Sequence, residues 1–243
     1  MKASSKFASL IGLFIVVFFL SSCAQLQELS GQFGGELPLT ETEVVNGLKD
    51  ALEVGAVRAA NQASAQGGFL DNELLFIAFP PEARRVANTL RDIGMGSLVD
   101  NFVTTLNRSA EDASRQAANI FGNAVREMTI QDAFDILYGD SNAATEYLRR
   151  TTSSQLIAAF TPVISTALDN NEATRYWTDI TTAYNQLPFV TPVTTDLVEY
   201  TTNNAMEGLF TLLEDEERAI RADPVKRTTD ILRRVFGHSS LQD

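Results

Sequence analysis

Residues 97–128 read SLVDNFVTTLNRSAEDASRQAANIFGNAVREM and decide the fold class. With Ala113 placed at zero and about 100° turned per residue, Val99, Phe102, Leu106, Ala117, Ile120 and Ala124 all fall within about 40° of it. A stripe kept up for about 30 residues corresponds to about 45 Å of helix. The spacing therefore predicts one long central helix, a mast, with Ser97 as its cap. Ala110, Ala113, Ala117 and Gly122 keep much of the stripe slim, so neighbouring helices can approach closely.

Working outward, the same periodicity recurs on both sides. Thr40 with Glu43 reads as a capping box for a helix carrying Val44, Val45, Leu48 and Leu52, ended by Gly67-Gly68. Residues 69–80 form an extended apolar connector, and Pro80-Pro81 opens a helix running to Gly94. Gly94-Met95-Gly96 is a break between helices: no strand precedes it, and the glycine spacing of a phosphate loop is missing. Thr129 with Asp132 starts a short helix that stops at Gly139, and Ala143 to Arg150 forms another. Thr152 or Ser153 is expected to cap the next, which Pro162 should kink. Glu172 to Leu187 carries Tyr176, Trp177, Ile180 and Tyr184; residues 187–192 are a second proline-bounded connector. Asp196 to Arg221 turns Leu197, Thr201, Ala205, Leu209, Leu212 and Leu213 inward, and Asp223-Pro224 caps a last helix, Val225 to Phe236, closed by Gly237. The expected fold is all-α: a single irregular helical bundle over 40–237 around a long central helix, with two short extended connectors and a disordered tail over 238–243.

The N-terminus reads differently. Lys2 and Lys6 precede an apolar run from Phe7 to Leu20, and Leu20-Ser21-Ser22-Cys23 closes it with small residues. About 14 apolar residues fall short of the roughly 20 that span a bilayer comfortably. The layout looks like a bacterial lipoprotein signal over 1–22, with Cys23 acylated by palmitate-type chains after cleavage; the alternative is a plain secretory signal with an incidental cysteine. Several acyl chains, at about 0.8 kcal/mol per buried methylene, make a stable bilayer anchor. Residues 23–39, with Gly31, Gly34, Gly35 and Pro38, suit a flexible spacer. In a double-membrane bacterium, Ala24 after the anchor fits sorting to the outer membrane, with the domain facing the periplasm. No second membrane segment is read, since the longest later apolar run extends only from Leu74 to Phe79.

Composition narrows the chemistry. The chain has 31 acidic against 19 basic residues, a formal charge of −12, which loss of Lys2 and Lys6 takes to −14. Nucleic-acid binding, which needs clustered cations, is not expected. At 44% hydrophobic the chain can build a core, which separates it from disordered sequences. One Cys and one His rule out disulfide frameworks, zinc clusters and most nucleophilic triads, and no cofactor or metal site is expected.

The densest polar cluster on the mast runs from Asn107 to Ala113. Arg108, Glu111 and Arg115 fall near 220°, 160° and 200° on the same wheel, opposite the apolar stripe, as for a surface salt-bridge ladder. That ladder becomes a buried polar network, and more readily a site, if other helices cover both faces of the mast. Glu111 and Asp112 diverge by about 100° and do not form a catalytic pair by themselves. Arg149-Arg150-Thr151-Thr152 reads as a helix end followed by a helix start, and Lys226-Arg227-Thr228-Thr229 repeats its Arg-Thr-Thr. Ordinary capping explains the first copy; the sharper alternative is an anion pocket in which Arg150, Arg227 and free helix-start amides converge. Glu214 to Glu217 fan out around a helix, which suits a solvated face better than a cation site. Tyr176, Trp177 and Tyr184 read as core, and His238 lies beyond the last helix.

Gly47-Leu48-Lys49, Gly68-Phe69-Leu70, Leu106-Asn107-Arg108 with Ala110-Glu111-Asp112-Ala113, Tyr147 with Arg149-Arg150-Thr151-Thr152, Tyr184-Asn185 with Leu187-Pro188-Phe189-Val190, Gly208-Leu209-Phe210, and Asp223-Pro224 to Gly237 occur in that order. Together they resemble the bacterial 4197 family of domains of unknown function over about residues 40–237. The resemblance implies a helical, often lipid-anchored envelope protein with no assigned activity and no catalytic residues to carry over. The leading expectation is a non-enzymatic outer-membrane lipoprotein that binds an envelope protein or small ligand in a groove near the mast and the two connectors. A second is a hydrolase, or a small-anion or lipid binder, using Arg108, Glu111, Asp112, Arg150 and Arg227. A carrier of an apolar ligand would need an apolar cavity on the order of several hundred Å³.

Overall fold

The computed structural model describes residues 40–222, apart from Ile93, Asn171, residues 187–191 and Thr194-Thr195, and apart from the side chains of residues 172, 173, 176, 179, 180, 183 and 184. The predicted signal segment, Cys23, the spacer, most of the second connector, the last helix with Arg227 and Thr228, and the tail lie outside the described residues. So do the side chains of Tyr176 and Tyr184.

Eight α-helices are present among the described residues, and no strand. They are α1 (Glu41–Ser64), α2 (Arg84–Asp92), α3 (Gly96–Ser114), α4 (Ala117–Glu127), α5 (Ile130–Leu137), α6 (Ala143–Asp169), α7 (Glu172–Asn185) and α8 (Leu197–Ala222), with a single 3₁₀ turn, Pro81–Ala83, leading into α2. The all-α expectation holds. α6 packs on α3, α4 and α8, and α1 closes the other side against α3, α4 and α8. The contacts are close because the facing stripes are small: Ala56, Ala59, Ala60 and Ala63 of α1, and Ala110, Ala113 and Ala117 of the mast, are all buried. Leu148, Leu156, Phe160, Ile164 and Leu168 of α6 and Leu209 and Phe210 of α8 fill the space between. Each such large side chain contributes about 1.5–3 kcal/mol by leaving water.

The mast is two helices rather than one. α3 ends at Ser114 and α4 begins at Ala117. The buried Ser114 hydroxyl donates to the Ala110 carbonyl at 2.8 Å, competing with the helical ladder, and the next bond is of the tighter kind, from the Gln116 N–H to the Ala113 carbonyl at 3.1 Å. Ala113 and Ala117 nevertheless both stay buried, so the apolar stripe continues across the break.

The second correction concerns Arg149 to Thr152. No helix ends or starts there: α6 runs unbroken from Ala143 to Asp169, with Pro162 inside it. Thr152 does not cap; its buried hydroxyl donates back to the Leu148 carbonyl at 2.6 Å, and Ser153 does the same to Arg149. The expected capping box at Thr129 and Asp132 is present, each side chain accepting the other residue's backbone N–H.

Between α1 and α2 runs the first connector, here called the arm. Gly67, at φ +84°, turns the chain out of α1, a conformation that favours glycine. The arm then alternates: Leu75 and Ile77 are buried, whereas Leu74 and Phe76 on the other side are 75% and 44% exposed. Phe69 and Leu75 seat against α8 at Gly208, where a Cβ would lie 2.8 Å from Phe69 Cε1; only glycine leaves room for the arm.

Candidate functional site

The polar cluster of the mast is what fixes the arm. Glu111 was expected on an exposed ladder, but it is 3% exposed, because the arm crosses the face of α3 opposite the apolar stripe. Its Oε1 accepts the backbone N–H groups of Gly67, Phe69 and Leu70 at 3.1, 3.2 and 3.1 Å. Its Oε2 accepts from the Arg108 guanidinium at 2.6 Å. One turn earlier, Asn107 is wholly buried and binds both backbone groups of a single arm residue: the Ile77 N–H donates to Oδ1 at 2.8 Å, and Nδ2 donates to the Ile77 carbonyl at 2.9 Å. That carboxamide does for the arm what a neighbouring strand would do. Tyr200 of α8 adds a third tie, its hydroxyl donating to the Ala78 carbonyl at 3.1 Å. Burial pushes the Tyr200 phenol above its ordinary range, with the Glu82 carboxylate adding to the shift. The second connector shows the same device: Asn185 exchanges both hydrogen bonds with Val193, at 2.7 and 2.8 Å.

So held, the arm forms one wall of an open cleft of about 550 Å³ whose other walls are α2 and α3. Leu70, Phe76, Phe79, Ala87, Val99 and Val103 make it largely apolar. Arg84, Asn88 and Arg91 line it from one face of α2, at helical spacing, and Asp100 and Thr104 from α3. Arg91 pairs with Asp100 at 2.7 Å. Beneath the cleft, Phe79, Phe102 and Trp177 form an aromatic triad with ring centroids 5.0, 5.5 and 5.7 Å apart. Trp177 belongs to the core, as its spacing suggested. Sequence reasoning passed over the cleft residues; the available signal was Arg84, Ala87, Asn88 and Arg91 recurring on one face of a helix beside an apolar run that contains Phe76 and Phe79.

The other sequence-predicted site residues lie in separate settings. Asp112 and Arg115 form an exposed pair at 3.2 Å. Arg149 binds Glu207 at 2.6 Å and lies over the Phe210 ring at 4.4 Å. Arg150 sits over Tyr147 at 5.7 Å and lines a hollow of about 310 Å³ with Asp132, Asp135 and Glu146. Thr151 donates to the Tyr147 carbonyl at 2.8 Å, inside α6, so no free helix-start amides accompany these arginines. Glu217, expected on a solvated face, is buried: it accepts the Ala144 and Thr145 amides that open α6, at 3.1 and 2.9 Å, and pairs with Arg221 at 2.8 Å. The cavity beside it, about 30 Å³, has room for a single water. Among the described residues no cluster of three or more His, Cys, Asp or Glu side chains is placed to hold a metal ion, and no helix is long and apolar enough to cross a membrane.

Fold and site together define an all-α domain wrapped by a polar-latched arm, with a preformed cleft under the arm. The chain belongs to the family described as protein of unknown function (DUF4197), whose model matches residues 38–237. The match takes in the arm, the mast and both connectors. No match was found among curated proteins or among solved structures.

Proposed function

We propose that this protein is a non-enzymatic binding component of the bacterial envelope, anchored through acylated Cys23 to the outer membrane and facing the periplasm, and that it takes its ligand or partner in the cleft between the arm, α2 and α3. The observation that supports binding there is the pairing of a largely apolar cleft of about 550 Å³ with walls fixed by Glu111, Asn107 and Tyr200. Ligand sites are commonly concave, mostly apolar and largely preformed, with a few placed polar groups. A non-enzymatic role is favoured because Asp100, the carboxylate that lines the cleft, is paired with Arg91, Glu111 has both oxygens occupied by N–H donors, and Asp112 is an exposed ion-paired group. A general base needs a lone pair within reach of substrate.

Anchoring is supported by the Leu20-Ser21-Ser22-Cys23 signal pattern alone. It is tested by palmitate labelling and membrane fractionation of Cys23→Ser: loss of label and release from the membrane are expected, and unchanged retention refutes it. Binding is tested in intact cells with a photo-crosslinking residue at Asn88 in the cleft and, as control, at exposed Arg115. A discrete adduct confined to position 88 is expected; equal or absent adducts at both positions overturn the assignment of the cleft.

A further inference from the structure

We propose that the cleft takes a small amphipathic anion, a single carboxylate or phosphate head on an apolar body, with the Arg84 guanidinium as the group that holds the head. This rests on the cleft being the binding site and names what it binds.

Charge complementarity carries the assignment. The cleft is lined by two guanidinium groups and one carboxylate, whereas the chain as a whole carries −12. Arg91 and Asp100 neutralise one another at 2.7 Å, leaving Arg84 in surplus. Among the described residues no carboxylate pairs with Arg84, a state it shares with Arg85, Arg150 and Arg175, but Arg84 alone of these four lines the cleft, whereas Arg58 pairs with Glu216, Arg108 with Glu111, Arg149 with Glu207 and Arg218 with Glu214. Asn88, one turn along the same face of α2, adds an amide donor with no partner among the described residues. A fixed planar fork of N–H donors recognises carboxylate and phosphate oxygens together, through charge-assisted bonds about twice as strong as neutral ones.

The opposite wall selects the rest of the molecule. Leu70, Phe76, Phe79, Val99 and Val103 offer no donor or acceptor side chain, so what lies against them must itself be apolar. Phe76, at 44% exposed, is a large apolar side chain left partly in water at the cleft edge, and an apolar body laid along it removes that surface. A ligand of this size class fits: clefts of about 300–1,000 Å³ take drug-sized molecules. The floor also supplies a reporter, since Phe79 lines the cleft and meets the chain's single tryptophan, Trp177, edge-on at 5.5 Å.

The experiment titrates the purified full-chain protein with decanoate, decyl phosphate, decanol and decyltrimethylammonium below their micelle concentrations, following Trp177 fluorescence and, independently, titration calorimetry. Saturable binding is expected in the order anions, then decanol, then the cation. Arg84→Gln should weaken both anions about tenfold and leave decanol unchanged. Thr104→Phe, which places a ring in the cleft from an exposed position of α3, should abolish binding of all four. Decanoate against decyl phosphate separates a carboxylate from a phosphate head. If Arg84→Gln binds the anions as the native chain does, or the cation binds as tightly as they do, the anion assignment is overturned while the cleft stands. If no amphiphile saturates, or Thr104→Phe changes nothing, the cleft itself is wrong and the assignment falls with it.

Discussion

Glu111 joins four donors from two places in the chain. Gly67, Phe69 and Leu70 give backbone N–H groups, and Arg108 gives its guanidinium. Removing a buried acceptor leaves donors unsatisfied at about 1–3 kcal/mol each, and the Phe69 amide is the one most completely shut off from water. Glu111→Ala is therefore expected to lower the stability of the domain by about 3 kcal/mol in urea denaturation. Glu111→Gln keeps one oxygen for the amides and loses only the charge, so about 1 kcal/mol is expected. Equal losses for the two variants would show that the ion pair with Arg108, and not the amide cradle, is what matters. The burial of Glu111 could not be read from the wheel, which placed it correctly on the face opposite the stripe but carried no information about what crosses that face. A contact between residues more than 40 positions apart is invisible to local periodicity.

Helices were legible where the signal was local, and their ends were lost where the same local signal goes with opposite outcomes. The 3.6-residue periodicity located α1, α3, α4 and α8, and the Thr129–Asp132 box was read directly, because a cap needs only residues three apart. The break after Ser114 and the continuity through Thr152 each accompany a buried hydroxyl bonded back to the carbonyl four residues earlier, so the same local device goes with opposite outcomes and the surrounding packing separates them. The capping box has a testable pH dependence. The Thr129 hydroxyl and then its backbone N–H, both donating to the carboxylate, hold Asp132 below its ordinary value of 3.8. A carboxyl lowered by folding stabilises above its unfolded pKa, and the contribution disappears as pH falls through the lower folded value. Asp132→Asn is thus expected to cost up to about 1 kcal/mol at pH 7, with the difference from the native chain narrowing as the pH is taken below 3.8. A constant difference across that range would remove the carboxylate from the cap. The arm is a different kind of element: in place of the extended connector expected over 69–80 it makes turns over most of residues 66–75 before an irregular stretch, and side-chain ties rather than a sheet hold it. Asn107→Ala removes both bonds to Ile77, so amide exchange across residues 69–80 should accelerate at least tenfold while the α6 core keeps its protection. Uniform acceleration of arm and core together would mean that the arm has no independent opening.

Whether the arm opens alone depends on how the core is connected. One contiguous cluster contains Phe69, Leu75 and Ile77 of the arm, Leu106 and Phe121 of the mast, Leu156 and Phe160 of α6, Trp177 of α7 and Leu209 of α8. Glu217 binds the end of α8 to the first turn of α6, far apart in sequence, as Glu111 binds the arm to the mast. Polar ties of this kind are costly to leave half made, so each couples the elements it joins. The arm's polar ties to α3 and α8 are sets of one to three hydrogen bonds, whereas its large side chains, Phe69 above all, are buried against Gly208 of α8. Global unfolding is therefore expected to be one transition. Helix content by far-ultraviolet circular dichroism reports α1 to α8, whereas the single Trp177, stacked on Phe102 and edge-on to Phe79, reports the junction of α7, the mast and the arm. The two probes should give the same midpoint and the same slope in guanidinium. A fluorescence transition that precedes the loss of helix would make the arm and α7 a separate, weaker unit, and the cleft that the arm walls a surface that forms and dissolves rather than one built in advance.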